Sequence, residues 1–246
     1  MKYKSLFVSD LHLGLKQCKI EQLLLFLDKN KFDNIFLVGD IFDFWQLKRE
    51  WYWEENYNLF IENILKASRQ GSNVYYAYGN HDDIFNCFSS RVFIELSNIN
   101  IQKEFIYEAC GHKILITHGD KHDYLNKCTK YLRRLVYTSN SWIIKKLISL
   151  LNEAAHEIEK KLVKWESKKR RFKTGLQKQS KLKDCKAVIC GHIHTPDIHR
   201  MTDSGNPKFL YMNCGDYLDK ETCIVEDYEG NFSLLDKGGV VKSVQM

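Results

Sequence analysis

Five short apolar runs punctuate the chain: KSLFVS at 4–9, NIFLVG at 34–39, NVYYAYG at 73–79, HKILITH at 112–118 and KAVICG at 186–191. None alternates cleanly between apolar and polar positions, so each predicts a strand buried on both faces. Helical spacing at 20–29, about 52–70 and about 90–97 falls between them. Strands separated by helices predict an α/β domain. After Pro196 the pattern changes to short alternating runs at 208–215, 221–228 and 231–236, which predict antiparallel strands with no helix between them.

One segment breaks this rhythm. Ile144, Leu147, Ile148, Leu151, Ala155, Ile158 and Leu162 recur at helical spacing, behind the N-cap choices Ser139, Asn140 and Ser141. The pattern predicts helices over 122–137 and 141–173, with Gly175 as a break. Because they lie between two predicted strands of the body, they form an insertion, a helical cap over about 122–184 within one domain spanning 1–246. Charge marks the same segment. Residues 121–186 hold 19 Lys/Arg and 6 Asp/Glu, a net of +13, while the remainder holds 18 and 25, a net of −7. A basic segment on an acidic body implies an anionic partner: phosphate, nucleic acid or anionic lipid.

The N-terminus lacks the charged, apolar and small-residue order of a signal peptide, and no apolar run reaches the ~18–20 residues that span a bilayer. The eight cysteines form no CxxC pair and read as reduced thiols. These features predict a cytoplasmic protein.

Each of the five apolar runs enters a polar cluster. SDLHLG holds Asp10 and His12, GDIFDFW holds Asp40 and Asp43, GNHD holds Asn80, His81 and Asp82, THGD holds His118 and Asp120, and GHIHTP holds His192 and His194. Strand C-termini of an α/β sheet open on one crevice, so the clusters are expected to converge. Carboxylate, imidazole and amide oxygen without cysteine exclude a closed thiolate zinc site and suit Mn²⁺, Fe²⁺, Mg²⁺ or Zn²⁺ in an open one. That many donors fit two ions. In extended backbone, residues i and i+2 share a face, which pairs Asp10 with His12 and His192 with His194. Gly39, Gly79, Gly119 and Gly191 are expected to allow close backbone approach and positive φ.

Asp-x-His, Gly-Asp-x-x-Asp, Gly-Asn-His-Asp, His-Gly-Asp and Gly-His-x-His, in this order, resemble the calcineurin-like metallophosphoesterases. Within them, SDLHLG, GDIFDFW, HGDKHD, the late YMNCGDYLD and the basic helical insertion resemble the UDP-2,3-diacylglucosamine pyrophosphatase branch. The resemblance implies a four-layer α/β/β/α sandwich and a hydrolase with two divalent ions, Mn²⁺ first among the choices. It assigns Asp10, His12, Asp40 and His194 to one ion and Asp40, Asn80, His118 and His192 to the other, with Asp40 bridging. His81 takes the place of the catalytic histidine, with Asp82 expected to orient it, and Asp43, Asp120 and Asp123 stand behind the ligands. The implied substrate is a nucleotide-linked lipid pyrophosphate, met at the inner membrane face. There the cap would act as a lid, offering an apolar face to acyl chains and Arg133, Arg134, Lys160, Lys161 and Lys164 to phosphates; the alternative is a helix pair packed on the body with a solvated basic face. The alternatives are a phosphodiesterase acting on a cyclic nucleotide or another diester, and a non-catalytic scaffold. No specific nucleic-acid partner is expected, because Phe172 is the sole aromatic between Lys168 and Lys186. One position departs from the branch: its best-known members carry arginine where this chain has His81.

Overall fold

The apolar runs form strands at the centre of two sheets. In the computed structural model, which describes residues 1–87, 99–122, 165–203 and 206–246, the run KYKSLFV is strand β1 (Lys2–Val8). It pairs in parallel with β2 (Lys31–Leu37), which pairs with β3 (Asn73–Ala77), and β3 pairs with β4 (Ile99–Gln102). On its other side β1 runs antiparallel to β10 (Cys223–Glu226), followed by β11 (Asn231–Asp236) and β12 (Gly239–Gln245). These make a seven-stranded sheet. A five-stranded sheet contains, in spatial order, β5 (Glu104–Ala109), β6 (His112–Thr117), β7 (Ala187–Cys190), β9 (Asn206–Asn213) and β8 (Asp197–Asp203). The predicted α/β class holds, with both sheets mixed. The five predicted strands divide between two sheets, as the α/β/β/α expectation requires: β1, β2 and β3 belong to the larger, β6 and β7 to the smaller. The strand beginning at Asn206 differs from expectation, pairing parallel with β7 and antiparallel with β8.

The missing alternation in the strands has a direct cause: both faces of the seven-stranded sheet are covered. Leu6, Val8, Ile35, Leu37, Val74 and Tyr76 pack with Leu23 of α1 (Glu21–Lys29) and Phe60 and Ile64 of α3 (Glu55–Arg69). The intervening Phe7, Phe36 and Ala77 pack between the sheets with Ile114, Ile116, Ala187, Ile189 and Met212. Phe7 and Phe36 stack at 4.8 Å, and Phe36 and Tyr75 at 4.6 Å. A side chain of this size buried here contributes about 1.5–3 kcal/mol. One charge is sealed into the same layer. Glu226 on β10 accepts hydrogen bonds from Ser5 Oγ (2.7 Å) and Tyr107 OH (2.6 Å), and Lys4 Nζ lies 2.9 Å away. The carboxylate thus ties β1 and β10 of one sheet to β5 of the other.

A short helix not foreseen from the sequence, α2 (Phe44–Arg49), follows the Asp40 cluster. The predicted helix at 90–97, and those over most of 122–173, lie outside the described residues. The part that is described, α4 (Trp165–Leu182), runs through Gly175, so that glycine is not a break. Its missing side chain leaves room for the His122 ring, which a Cβ would overlap. The chain divides into two compact units, Met1–His118 with Gln177–Met246, and Gly119–Leu176.

Candidate metal centre

The candidate ligands sit just beyond strand ends of the first unit. Asp10 and His12 follow β1, Asp40 follows β2, Asn80 and His81 follow β3, His118 follows β6, and His192 and His194 follow β7. Their backbone is not extended. Asp10, His12, Asp40, His192 and His194 have φ of 53°, 52°, 52°, 71° and 48°. Left-handed backbone at non-glycine residues costs energy and persists where surrounding structure enforces it. The convergence of Asp10 with His12 and of His192 with His194 therefore comes from paired left-handed turns rather than strand alternation. Two backbone bonds lock the first pair, Asp10 N to Gly39 O and His12 N to Asp40 O, both 3.0 Å. Of the four glycines expected to adopt positive φ, Gly39 and Gly119 do so. Gly79 and Gly191 instead provide space: a Cβ there would overlap the Asp40 and Asp10 carboxylates, respectively.

Three groups of donors have ligand atoms within 4.8 Å of one another: Asp10, His12 and His194; Asp40, His118 and His192; and His12, Asp43 and His81. The first two of these clusters match the ion sites that the resemblance implies. His194 Nε2 is 3.3 Å from Asp10 Oδ1, and His118 Nε2 is 3.1 Å from Asp40 Oδ2. Asp40 adjoins both clusters, since His12 Nε2 lies 4.0 Å from the same Oδ2. Each carboxylate divides its oxygens. Asp10 Oδ2 accepts from His192 N (2.9 Å) and Asp40 Oδ1 from His81 N (2.8 Å), leaving the other oxygen toward the histidines.

The imidazoles are oriented from behind. His12 Nδ1 lies 3.0 Å from Asp43 Oδ2, and His118 Nδ1 lies 3.1 Å from Val38 O. With a proton on each Nδ1, the Nε2 lone pairs point at carboxylate oxygens, an arrangement that needs a cation between them. Asn80 Oδ1, Asp10 Oδ1 and His12 Nε2 are buried without a hydrogen-bond partner among the described residues. Buried polar atoms ordinarily find partners, so these three fit a divalent ion. In the metal-free protein, protons do part of that work. Burial opposes charge at both carboxylates, yet His194 and His118 hold Asp10 below the usual carboxylate range, and His118 does the same for Asp40. Burial also opposes charge on His194, but Asp10 outweighs it and brings His194 up to about 9.

His81 stands beside the clusters. Its ring lies 4.7 Å from that of His12 and rests on Trp45 at 4.0 Å. Its Nδ1 lies 2.9 Å from Asp43 Oδ2. Burial lowers its proton affinity, but Asp43 and Asp40 more than offset this, and the net shift is upward. Asp82, expected to orient His81, does something else. Its carboxylate accepts from Ile41 N (2.9 Å), Gly79 N (2.5 Å) and Tyr76 OH (2.6 Å) and builds the turn. Burial and the nearby Asp40 charge push it up to about 6. Asp43 is the carboxylate that faces His81, at ion-pair distance and without a hydrogen bond to its Nδ1 among the described residues, while its Oδ1 caps α2 through Gln46 N at 2.8 Å. The sequence reading assigned no role to Asp216, whose Oδ2 lies 3.8 Å from His194 Nδ1; the signal available was its place in CGDYLD. Asp120 lies in the 3₁₀ turn Asp120–His122 of the second unit. Asp123, Arg133, Arg134, Lys160, Lys161 and Lys164 lie outside the described residues.

A mixed two-sheet α/β fold with histidine, carboxylate and amide donors gathered at its strand ends defines a metal-dependent hydrolase. The chain belongs to the calcineurin-like phosphoesterases: that family's model matches residues 3–196. It is similar to the UDP-2,3-diacylglucosamine hydrolase of Vibrio cholerae, 26 % identical over 260 residues that cover 95 % of this chain and 97 % of the relative. The enzyme of the same name from Coxiella burnetii is 24 % identical over 221 residues, 82 % and 85 % of the two chains. Among solved structures, a Vps29 double mutant from Entamoeba histolytica matches the fold with a TM-score of 0.50 at 11 % identity, covering 98 % of both chains. Among the described residues, no helix is long and apolar enough to cross a membrane.

Proposed function

We propose that this phosphoesterase hydrolyses the pyrophosphate of UDP-2,3-diacylglucosamine, releasing UMP and the acylated sugar 1-phosphate in lipid A synthesis. The observation that carries the chemistry is the pair of buried clusters meeting at Asp40, with His81 alongside. The relatives named UDP-2,3-diacylglucosamine hydrolase, similar over most of the chain, support the substrate.

Asp10, His12, Asp40 and His194 would hold one ion, and Asp40, Asn80, His118 and His192 the other. Two divalent cations, Mn²⁺ first among the choices, supply Lewis acidity toward phosphoryl oxygens and lower the pKa of a water. The protein's own residues do the rest. Asp43 faces His81 at Nδ1, leaving Nε2 as the nitrogen that meets the phosphoryl group. Its raised proton affinity keeps His81 charged closer to neutrality, the form needed by a general acid. As water adds to phosphorus, the bridging P–O bond breaks and the leaving oxygen takes the His81 proton. Exposed Arg170, Arg171 and Lys178 on α4 provide charge for anionic headgroups at a cytoplasmic membrane face.

The test is incubation of the Mn²⁺-loaded protein with UDP-2,3-diacylglucosamine; absence of UMP release rejects the substrate. One observation favours a second reading, a phosphodiesterase. His81 offers a titratable imidazole where the lipid branch carries a fixed guanidinium. Turnover of cyclic nucleotides or bis-p-nitrophenyl phosphate without turnover of the lipid would select that reading.

A further inference from the structure

Two of the clustered histidines have an Nδ1 hydrogen-bond partner outside the cluster, each supplied by a different element. His12 has Asp43 and His118 has the Val38 carbonyl. For a third, His194, the facing group is the Asp216 carboxylate, whose Oδ2 lies 3.8 Å from Nδ1, an ion-pair distance longer than a hydrogen bond. Asp216 belongs to the loop between β9 and β10 and is 1 % exposed. Its other oxygen, Oδ1, accepts from Leu218 N (2.9 Å), Asp219 N (2.6 Å) and Lys220 N (3.3 Å). A carboxylate pinned by three amides cannot swing away, so its second oxygen has a set direction.

The loop is itself fastened to the ligand-bearing turns. Tyr217 N donates to Asp10 O (3.2 Å), Ser9 Oγ to Gly215 O (3.1 Å), and Asn213 Nδ2 to Gly191 O (2.8 Å). Thr222 Oγ1 closes the loop on Cys214 O at 2.7 Å. Gly215, at φ 82°, leaves room for that hydroxyl, which a Cβ would overlap.

We propose that Asp216 is the positioning residue for His194, taking the Nδ1 proton so that Nε2 faces Asp10. It would thereby tune one of the two cation sites and not the other. A ligating imidazole ordinarily gives its second nitrogen to a carboxylate or carbonyl, and losing that partner weakens metal affinity by about 10–100-fold. This inference rests on the two-cation reading of the centre.

Calorimetric titration of the metal-free full-length chain with Mn²⁺ tests it. Asp216→Asn keeps an oxygen for the three amides and removes the charge facing His194. The expected result is about 10–100-fold weakening of one of two binding steps, with the step weakened by His192→Ala unchanged. Thr222→Val loosens the same loop away from His194; it is expected to lower Tm and leave both steps intact. Asp216→Asn with wild-type affinity at both steps, or Thr222→Val reproducing its loss, overturns the inference. Wild-type protein that takes up fewer than two ions overturns the two-cation reading instead, and the inference with it. If Asp216→Asn does not fold, the imidazole ¹⁵N spectrum of the Zn²⁺-loaded wild type decides. A His194 proton on Nδ1 supports the assignment, and metal on Nδ1 overturns it.

Discussion

The two sheets contribute unlike halves to the centre. The seven-stranded sheet supplies Asp10, Asp40 and Asn80 together with His12 and His81; the five-stranded sheet supplies imidazoles, His118, His192 and His194. The carboxylates and the amide oxygen therefore all lie on one side, beside two imidazoles, and the other side supplies imidazoles alone. The carboxylates are clamped by backbone amides, whereas His118 Nδ1 meets the Val38 carbonyl and His194 Nδ1 faces the Asp216 carboxylate at 3.8 Å. A rigid anionic half set against oriented imidazoles can capture cations without a large rearrangement, and it explains why removing different members should fail in different ways.

The largest effect is expected at Asp40, which touches both clusters. Asp40→Ala should reduce kcat for any phosphoester by on the order of 10³-fold or more, since each ~1.4 kcal/mol of lost transition-state stabilisation is tenfold. Elemental analysis should show metal lost from both sites. Loss of one ion alone would break the view of Asp40 as shared.

His81→Ala comes next, with kcat down about 10²–10⁴-fold and metal content unchanged. A drop in metal content would move His81 among the ligands. Asp43→Asn should weaken both His12 and His81 and so lower metal affinity and kcat together. Asp82→Ala should act on stability instead, at about 1–3 kcal/mol for the donors left unsatisfied, measured by urea unfolding. If Asp82→Ala removed activity from a stably folded, metal-loaded protein, the distinction between the two aspartates would fail.

The smallest effect concerns pH. His194 is raised from 6.5 to about 9 by Asp10, although burial opposes its charge. A raised folded pKa stabilises the metal-free protein fully below the unfolded value and loses that contribution as pH climbs from about 6.5 through about 9. Metal must displace the same proton, so affinity at this site should increase with pH up to about 9, with proton release measurable by calorimetry in buffers of different ionisation enthalpy. Affinity independent of pH would show that His194 is not a ligand.

Much of this centre was legible in the sequence because its signals are local. A buried strand ending in Asp-x-His or Gly-Asn-His-Asp shows its run of apolar residues and its donors within ten positions. The partners behind the ligands leave no such trace. In the sequence Asp82, next to His81, is the expected support, and Asp43 is only placed behind the ligands. The choice depends on α2 beginning at Phe44 and on Asp82 being drawn to the amides of Ile41 and Gly79. Asp216 reaches His194 through a loop 22 residues further on. Gly175 looked like a break because glycine disfavours helix, yet α4 continues through it.

The sequence by itself determined the α/β class, the strand ends and the candidate donors, because periodicity and side-chain chemistry are properties of neighbouring residues. Only the tertiary structure decided which donors come from which sheet, that left-handed turns rather than strand alternation aim them, and that Asp43 faces both His12 and His81. Those outcomes depend on packing between segments far apart in the chain, where burial and backbone hydrogen bonding select one arrangement among many that the local pattern permits.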